Sequence, residues 1–404
     1  MQKTINRTNR YEKPNIFSTG SPCDIHVLHR GLQDTRQSSR KLSGRACHSR
    51  TYLGRRKLRH LHLTDTTLRR QGKCNLSIGS AEVRIIGQNG YESELAEYDQ
   101  QQRQYTINTA TLPKDDRYAV KVTLEGETYQ SDFQELKVTP PIDEITYKES
   151  EEGISIHVST HDEKSKKSAY MWSYEEDWEF HADIDFSHPS SGRFLYSESI
   201  YPLSDGGKNP YLYCWGHQKS SNIHIYSTEN LKENVVKEHE LFRIPIDDIR
   251  ISYIYSILVK QWALNDEAYD YFRTLKLYTE ETNGLFAPLP SEISGNIQCT
   301  SNPEIKVKGY VIAATVVEKR IFVYENDFQK INSAYSNCLR YTTTNYLNWQ
   351  QAWMGSMEQG SAVIYTTSDV LDQSSILYYK ECFDCRTVKG STKKRPDFWP
   401  NAHE

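Results

Sequence analysis

Few residues in this 404-residue chain have the types and spacing that could do chemistry. Cys382 and Cys385 stand at metal or redox spacing. A zinc site needs a second Cys or His pair, and a thioredoxin-like site needs a βαβ setting. The sequence offers neither, which leaves both cysteines as disulfide candidates. From Tyr170 to Phe186 (YMWSYEEDWEFHADIDF) the polar Glu175, Asp177, Glu179, His181, Asp183 and Asp185 alternate with Tyr174, Trp178, Phe180, Ala182, Ile184 and Phe186, broken only by Glu176. One reading is a hard-cation site built from convergent carboxylates. The other is a solvated strand face. Carboxylates along one strand stay apart and no Asp-rich loop with a turn glycine is present, so the solvated face is expected.

Other chemistry finds less support. Any two carboxylates could serve as glycosidase acid and base, but residues 75–404 hold 49 Asp and Glu, enough for chance pairs. No G-x-S-x-G elbow occurs, and Gly206-Gly207 lies in a turn rather than between a strand and a helix. No catalytic, cofactor-binding or metal-ligating residue is therefore expected, no cofactor is implied, and the chain reads as non-enzymatic.

The elements that would position any site centre on residues 251–297. Apolar and aromatic residues occupy both alternating faces from Ile251 to Leu264, which suits a strand buried on both sides. Asn265 then caps a helix whose first turn carries Asp266 and Glu267. Ala268, Tyr271, Phe272, Leu275 and Tyr278 form its stripe, and Asn283-Gly284 stops it, so one principal helix is predicted near 266–282. Downstream, Gly309–Val317 and Arg320–Tyr324 read as a hairpin turned at Glu318-Lys319 that pairs beside residues 251–264.

Upstream, Ala81–Ile86, the Asn89-Gly90 turn, Tyr91–Tyr98, Gln104–Thr109, Tyr118–Leu124 and Phe133–Val138 read as the short strands of a sandwich. Pro140-Pro141 forms a stiff joint. The fold class is thus mainly β: a small immunoglobulin-like sandwich over 75–140, then a larger β-rich domain over 141–404 with its principal helix. Trp215 and Tyr213 are expected in the core, and the terminal PDFWP (Pro396–Pro400) in a groove. Which aromatics would face a ligand is left open.

Residues 1–74 differ from the rest. They carry 17 Lys+Arg against 4 Asp+Glu, with Cys23, Cys47 and Cys74, and show no sustained periodicity. They read as a basic segment that is disordered or out of frame, with no apolar signal core. The remainder has 32 Lys+Arg against 49 Asp+Glu, a net charge near −17. Such a body disfavours nucleic acid as a partner. The 28 Tyr favour pleated half-buried surfaces. No stretch of 18 apolar residues occurs, so no transmembrane helix is predicted. Cys214, Cys299, Cys338, Cys382 and Cys385 in the body fit an oxidising compartment with one or two disulfides and one thiol left over, in a connectivity the sequence does not fix.

Several segments in order, YMWSYEEDWEF (170–180), CW (214–215), YSILVKQWALNDEAYDYF (255–272), NGLFAPLPSEISGNI (283–297), VKGYVIAATVVEKRIFV (307–323) and CFDCRTVKGSTKKRPDFW (382–399), resemble the family catalogued as domain of unknown function 4249. The resemblance spans about residues 76–400. It implies a cell-envelope, outer-membrane lipoprotein of Bacteroidetes type, similar in setting to the companions of TonB-dependent receptors. No catalytic residues are established for that family, so none is carried over. It also implies an apolar signal, a lipidated Cys and an early strand, none of which residues 1–74 supply. Membrane attachment then depends on an anchor in the true N-terminus, and the first sandwich would keep an open edge. The function expected from the resemblance is a binding companion of a TonB-dependent transporter that captures or presents a nutrient. Its rivals are a structural or adhesive envelope subunit and a carbohydrate hydrolase.

Overall fold

The computed structural model describes residues 24–28, 60–64, 80–100, 104–110, 112–113, 115–183, 193–195, 210–278, 293, 295–328, 338, 340–343, 362–366 and 375–400. The strands of the first part are β1 (Asp24–Leu28), β2 (His60–Thr64), β3 (Glu82–Gly87), β4 (Glu97–Asp99), β5 (Gln104–Asn108), β6 (Arg117–Leu124), β7 (Glu127–Ser131) and β8 (Gln134–Glu135). Then come β9 (Ile142–Ser150), β10 (Gly153–His161), β11 (Ala169–His181), β12 (Arg193–Leu195), β13 (Tyr213–Lys219), β14 (His224–Ser227), β15 (Val235–Pro245) and β16 (Ile254–Leu264). Helix α1 (Asp266–Lys276) leads to β17 (Ile297–Cys299), β18 (Tyr310–Ala314), β19 (Val316–Tyr324), β20 (Arg340–Thr343), β21 (Ala362–Thr366) and β22 (Ser375–Tyr379). The protein is mainly β, as the alternating segments predict.

The first sandwich packs the sheet β18-β1-β2-β5-β4 on the sheet β17-β7-β6-β3. Its core joins Val83, Ile85, Tyr105, Ile107, Tyr118, Val120, Val311 and Ala313. At the start of β6 the Tyr118 hydroxyl donates to the Pro113 carbonyl, a corner recurrent in immunoglobulin-like sandwiches. The β6–β7 hairpin turns through Glu125 (φ 52°) and Gly126 (φ 82°), a left-handed pair the sequence reading did not single out.

Three expectations about this part change. Within residues 1–74 the structure places two five-residue strands, β1 and β2. β1 pairs antiparallel with β18 and parallel with β2, and β2 pairs with β5, so the stretch expected to be an open edge is spanned by these two strands. The sandwich does not end at residue 140, because β17 and β18 return to it from far down the chain. And the hairpin expected over 309–324 is not formed: β18 belongs to the first sandwich, β19 pairs with β16, and Glu318 and Lys319 lie inside β19.

The crossing occurs at Thr315, where the two sandwiches are stitched together. Thr139 donates its N–H to Thr315 Oγ1 at 2.8 Å, and its hydroxyl accepts from the Ala263 N–H at 2.9 Å. Gln261 Nε2 donates to the Pro140 carbonyl at 2.9 Å. Thr139, Thr315 and Gln261 are all buried. The joint is therefore rigid through buried, satisfied polar groups as well as through proline.

In the second sandwich the sheet β15-β10-β9 covers one face of the sheet β13-β11-β16-β19, with β14 also pairing β11. Ile145, Ile154, Ile156, Val158 and Ile244 meet Trp172, Tyr174, Tyr255, Ile257 and Val259 between them. β16 lies between β11 and β19 and only Leu258 escapes full burial, as its doubly apolar pattern predicts. Asn265 caps α1 through a 2.8 Å bond accepted from the Ala268 N–H. The helix buries Ala268, Tyr271, Phe272 and Leu275 against Met171, Trp262, Tyr310 and Ile312. The stop expected at Asn283-Gly284 lies outside the described residues. A further sheet, β12-β21-β22-β20, completes the described strands.

Candidate functional site: a charged band on the central sheet

The second face of β13-β11-β16-β19 carries apolar residues at both ends and charges in the middle. At one end Ala169, Met171, Trp262 and Leu264 lie under α1. At the other, Trp215, Ile254 and Trp399 pack together. Between them the strand register sets Glu175 opposite Lys219 and Leu258, Asp177 opposite His217 and Ser256, and Glu179 opposite Trp215 and Ile254. β19 adds Glu318 opposite Lys260 and Arg320 opposite Leu258.

These carboxylates correct the expectation of a solvated face. Glu175, Asp177 and Glu179 are 7%, 5% and 0% exposed. Lys260 Nζ lies 3.0 Å from Glu175 and 3.2 Å from Glu318, and Lys219 Nζ lies 3.9 Å from Glu175. Asp177 accepts from His217 Nδ1 at 2.7 Å and from Arg320 at 2.9 Å, and the same Arg320 nitrogen donates to Ser256 Oγ. Glu179 accepts from the Trp399 indole N–H at 2.5 Å. Even the interrupting Glu176 is buried. On the opposite face it accepts from Tyr255 at 2.8 Å, Arg250 at 2.9 Å and Gln218 at 2.6 Å, while Arg250 also clasps Asp248.

A buried carboxylate is tolerated only when partnered, and here cations arrive from the neighbouring strands. Burial works against the Asp177 charge, but the bonds from His217 and Arg320 outweigh it and hold the carboxyl below its ordinary range. Burial likewise pushes the Lys219 ammonium down to about 8, with Glu175 opposing and Lys260 reinforcing the fall. Burial and the adjacent Glu176 keep the Tyr255 hydroxyl well above its usual value. The band is a set of locked ions, and it reaches solvent through His217, Arg320 and Glu318, whose side chains are 33%, 19% and 46% exposed.

The cysteines fall differently from the sequence candidates. Cys385 bonds to Cys214 and Cys382 to Cys338, so both form disulfides but not with each other. Cys299 is the buried thiol left over among the described cysteines. No group of three or more His, Cys, Asp or Glu able to hold a metal occurs among the described residues. Trp215 and Trp399 are buried as expected, and Asp185 lies outside the described residues.

One pair escaped sequence reasoning. Ser155 Oγ lies 2.8 Å from His157 Nε2, and His157 Nδ1 lies 3.0 Å from the Glu238 carbonyl. Since a carbonyl only accepts, Nδ1 carries a proton, and in the neutral ring Nε2 accepts from Ser155, the arrangement of a nucleophile–base hydrogen bond. Glu238 has a left-handed φ of 48°. The neighbouring cations Lys148 and Arg243 are engaged by Glu238 and Glu240. Ser-x-His on an alternating strand is the only signal that marks the pair, and it is a weak one.

A family model described as a domain of unknown function, DUF4249, matches residues 54–320, about two thirds of the chain. The chain belongs to the DUF4249 family. The match contains β11, β16 and most of the charged band, and it opens at residue 54, inside the basic segment and ahead of β2. No curated protein and no solved structure matches significantly. No helix among the described residues of this DUF4249 protein is long and apolar enough to cross a membrane.

Proposed function

We propose that this DUF4249 protein is a non-enzymatic binding companion of a TonB-dependent transporter at the cell envelope, retaining or presenting a nutrient. The observation that carries the binding reading is the band on the central sheet. Its ions are fixed by buried pairing between two apolar ends, and His217, Arg320 and Glu318 bring its edge to solvent. Such a surface recognises a polar ligand with little reorganisation. The hydrolase reading is less well supported, because a general acid needs a carboxyl held protonated, whereas Asp177 is held ionised by two donors. The two disulfides support an oxidising, extracytoplasmic setting.

The ligand half of the proposal is tested by native mass spectrometry of the full chain purified from its own cells. The account expects a bound small molecule that the doubly substituted His217→Ala/Arg320→Ala protein retains at least tenfold less. Equal retention by both proteins would place the ligand elsewhere.

A further inference from the structure

The chain after β22 crosses the charged face as a strap with a covalent root. Cys385 is bonded to Cys214 on β13, three positions beyond Cys382, which is bonded to Cys338. Next to the root the Cys385 N–H donates to the Tyr211 carbonyl at 3.0 Å, and the Arg386 guanidinium stacks 3.4 Å from the Tyr211 ring centre. Midway, Thr392 and Trp215 exchange two backbone bonds of 2.8 Å, adding one rung to the edge of β13. At the tip, Trp399 is buried with its indole on Glu179, and Phe398 lies beside Phe322 with Arg320 3.8 Å over its ring. Between rung and tip, Lys393, Lys394 and Arg395 are exposed.

The strap is thus held at separate points joined by exposed chain, and one of those points is covalent. We infer that it is a latch, with Cys338–Cys382 as its fixed hinge and Cys214–Cys385 as its lock. Opening the lock lets residues 386–399 lift and uncovers the seat of Trp399, a slot floored by the buried Glu179 carboxylate and walled by Trp215, Ile254 and Phe322. Cys214 and Cys385 are 0% and 1% exposed, so the lock exchanges with two equivalents of a small thiol from a locally opened root rather than from the closed strap. The first thiolate attacks one sulfur, breaking the S–S bond and forming a mixed disulfide, and the released cysteine thiolate takes up a proton. The second thiolate displaces the other cysteine and leaves as the oxidised small-molecule disulfide, so the reductant supplies both electrons. The strap shares Arg320 with the proposed ligand edge through Phe398, but its test reads the strap without any ligand.

Hydrogen exchange on the full chain, with and without Cys214→Ala/Cys385→Ala, tests it. In the substituted protein the amides of Thr392, Trp399 and Trp215 are expected to exchange at least tenfold faster while β16 keeps its protection. Cys338→Ala/Cys382→Ala should leave the strap amides protected. Unchanged exchange at Thr392 and Trp399 overturns the inference, as does opening caused by the second pair of substitutions alone. If the first pair unfolds β16, the wild-type chain titrated with dithiothreitol is read in the same way. Loss of strap and β16 protection together at every reductant concentration would also overturn it.

Discussion

Asp177 is held between two donors from opposite sides, accepting at 2.7 Å from His217 on β13 with one oxygen and at 2.9 Å from Arg320 on β19 with the other. Three strands of the central sheet therefore meet at one buried carboxylate. Asp177→Asn keeps the shape but leaves Arg320 largely buried without its counter-charge. Removing one partner of a buried pair costs about 3–5 kcal/mol, and urea denaturation should show a loss of that size. The same group has an acid signature. Its folded pKa lies below the unfolded value of 3.8, so its stabilisation is present above that value and is lost as pH falls through the lower folded one. Asp177→Asn should flatten that part of the acid-unfolding curve.

Lys219 gives a signature of the same sign in the alkaline range, but from a charge that the fold disfavours. Its folded pKa of about 8 lies under its ordinary 10.5, so between those values the unfolded chain binds more protons and stability rises with pH. Lys219→Met removes that gain. The difference in unfolding free energy between wild type and variant should change in favour of wild type from pH 8 to pH 10, measured by denaturant titration at fixed ionic strength. A pH-independent difference would contradict the assigned shift.

Asn265 acts twice, capping α1 at the Ala268 N–H and donating from Nδ2 to Gln134 of β8 at 2.9 Å. Asn265→Ala should destabilise by about 0.5–2 kcal/mol, the range for a lost N-cap. Asn265→Asp, which keeps the cap but cannot donate to Gln134, should recover part of that loss.

Gly216 faces Trp178 across the β11–β13 pair. A Cβ at Gly216 would come within 2.2 Å of the Trp178 ring. Gly216→Ala should therefore cost about 1–3 kcal/mol by overpacking. The double substitution Gly216→Ala/Trp178→Leu should cost less than the sum of the two single changes.

How far the sequence could be read depends on how far apart the interacting residues lie. β16, the Asn265 cap and α1 rest on neighbours within a few positions, and they occur where the pattern places them. The polar alternation of Glu175, Asp177 and Glu179 identified the strand but not its environment. Whether a carboxylate is solvated or paired is decided by Lys260, Arg320 and Trp399, between 85 and 220 positions away, and by no property of the strand itself. The same reason hid the hairpin's absence. Val311 and Val316 look alike in sequence, yet Thr315 separates strands of different sheets because Thr139 binds it. β1 and β2, DIHVL and HLHLT, do alternate, but each run is only five residues long and sits in a basic context without sustained periodicity.

The central claim is partnership with a TonB-dependent transporter, and affinity purification from detergent-solubilised outer membranes of the source cells tests it most directly. With a tag placed away from the strap, the account predicts that one such transporter copurifies in near-equal amount and is absent from an untagged control. Recovery of the chain alone, or with envelope proteins that exclude any TonB-dependent transporter, would contradict it.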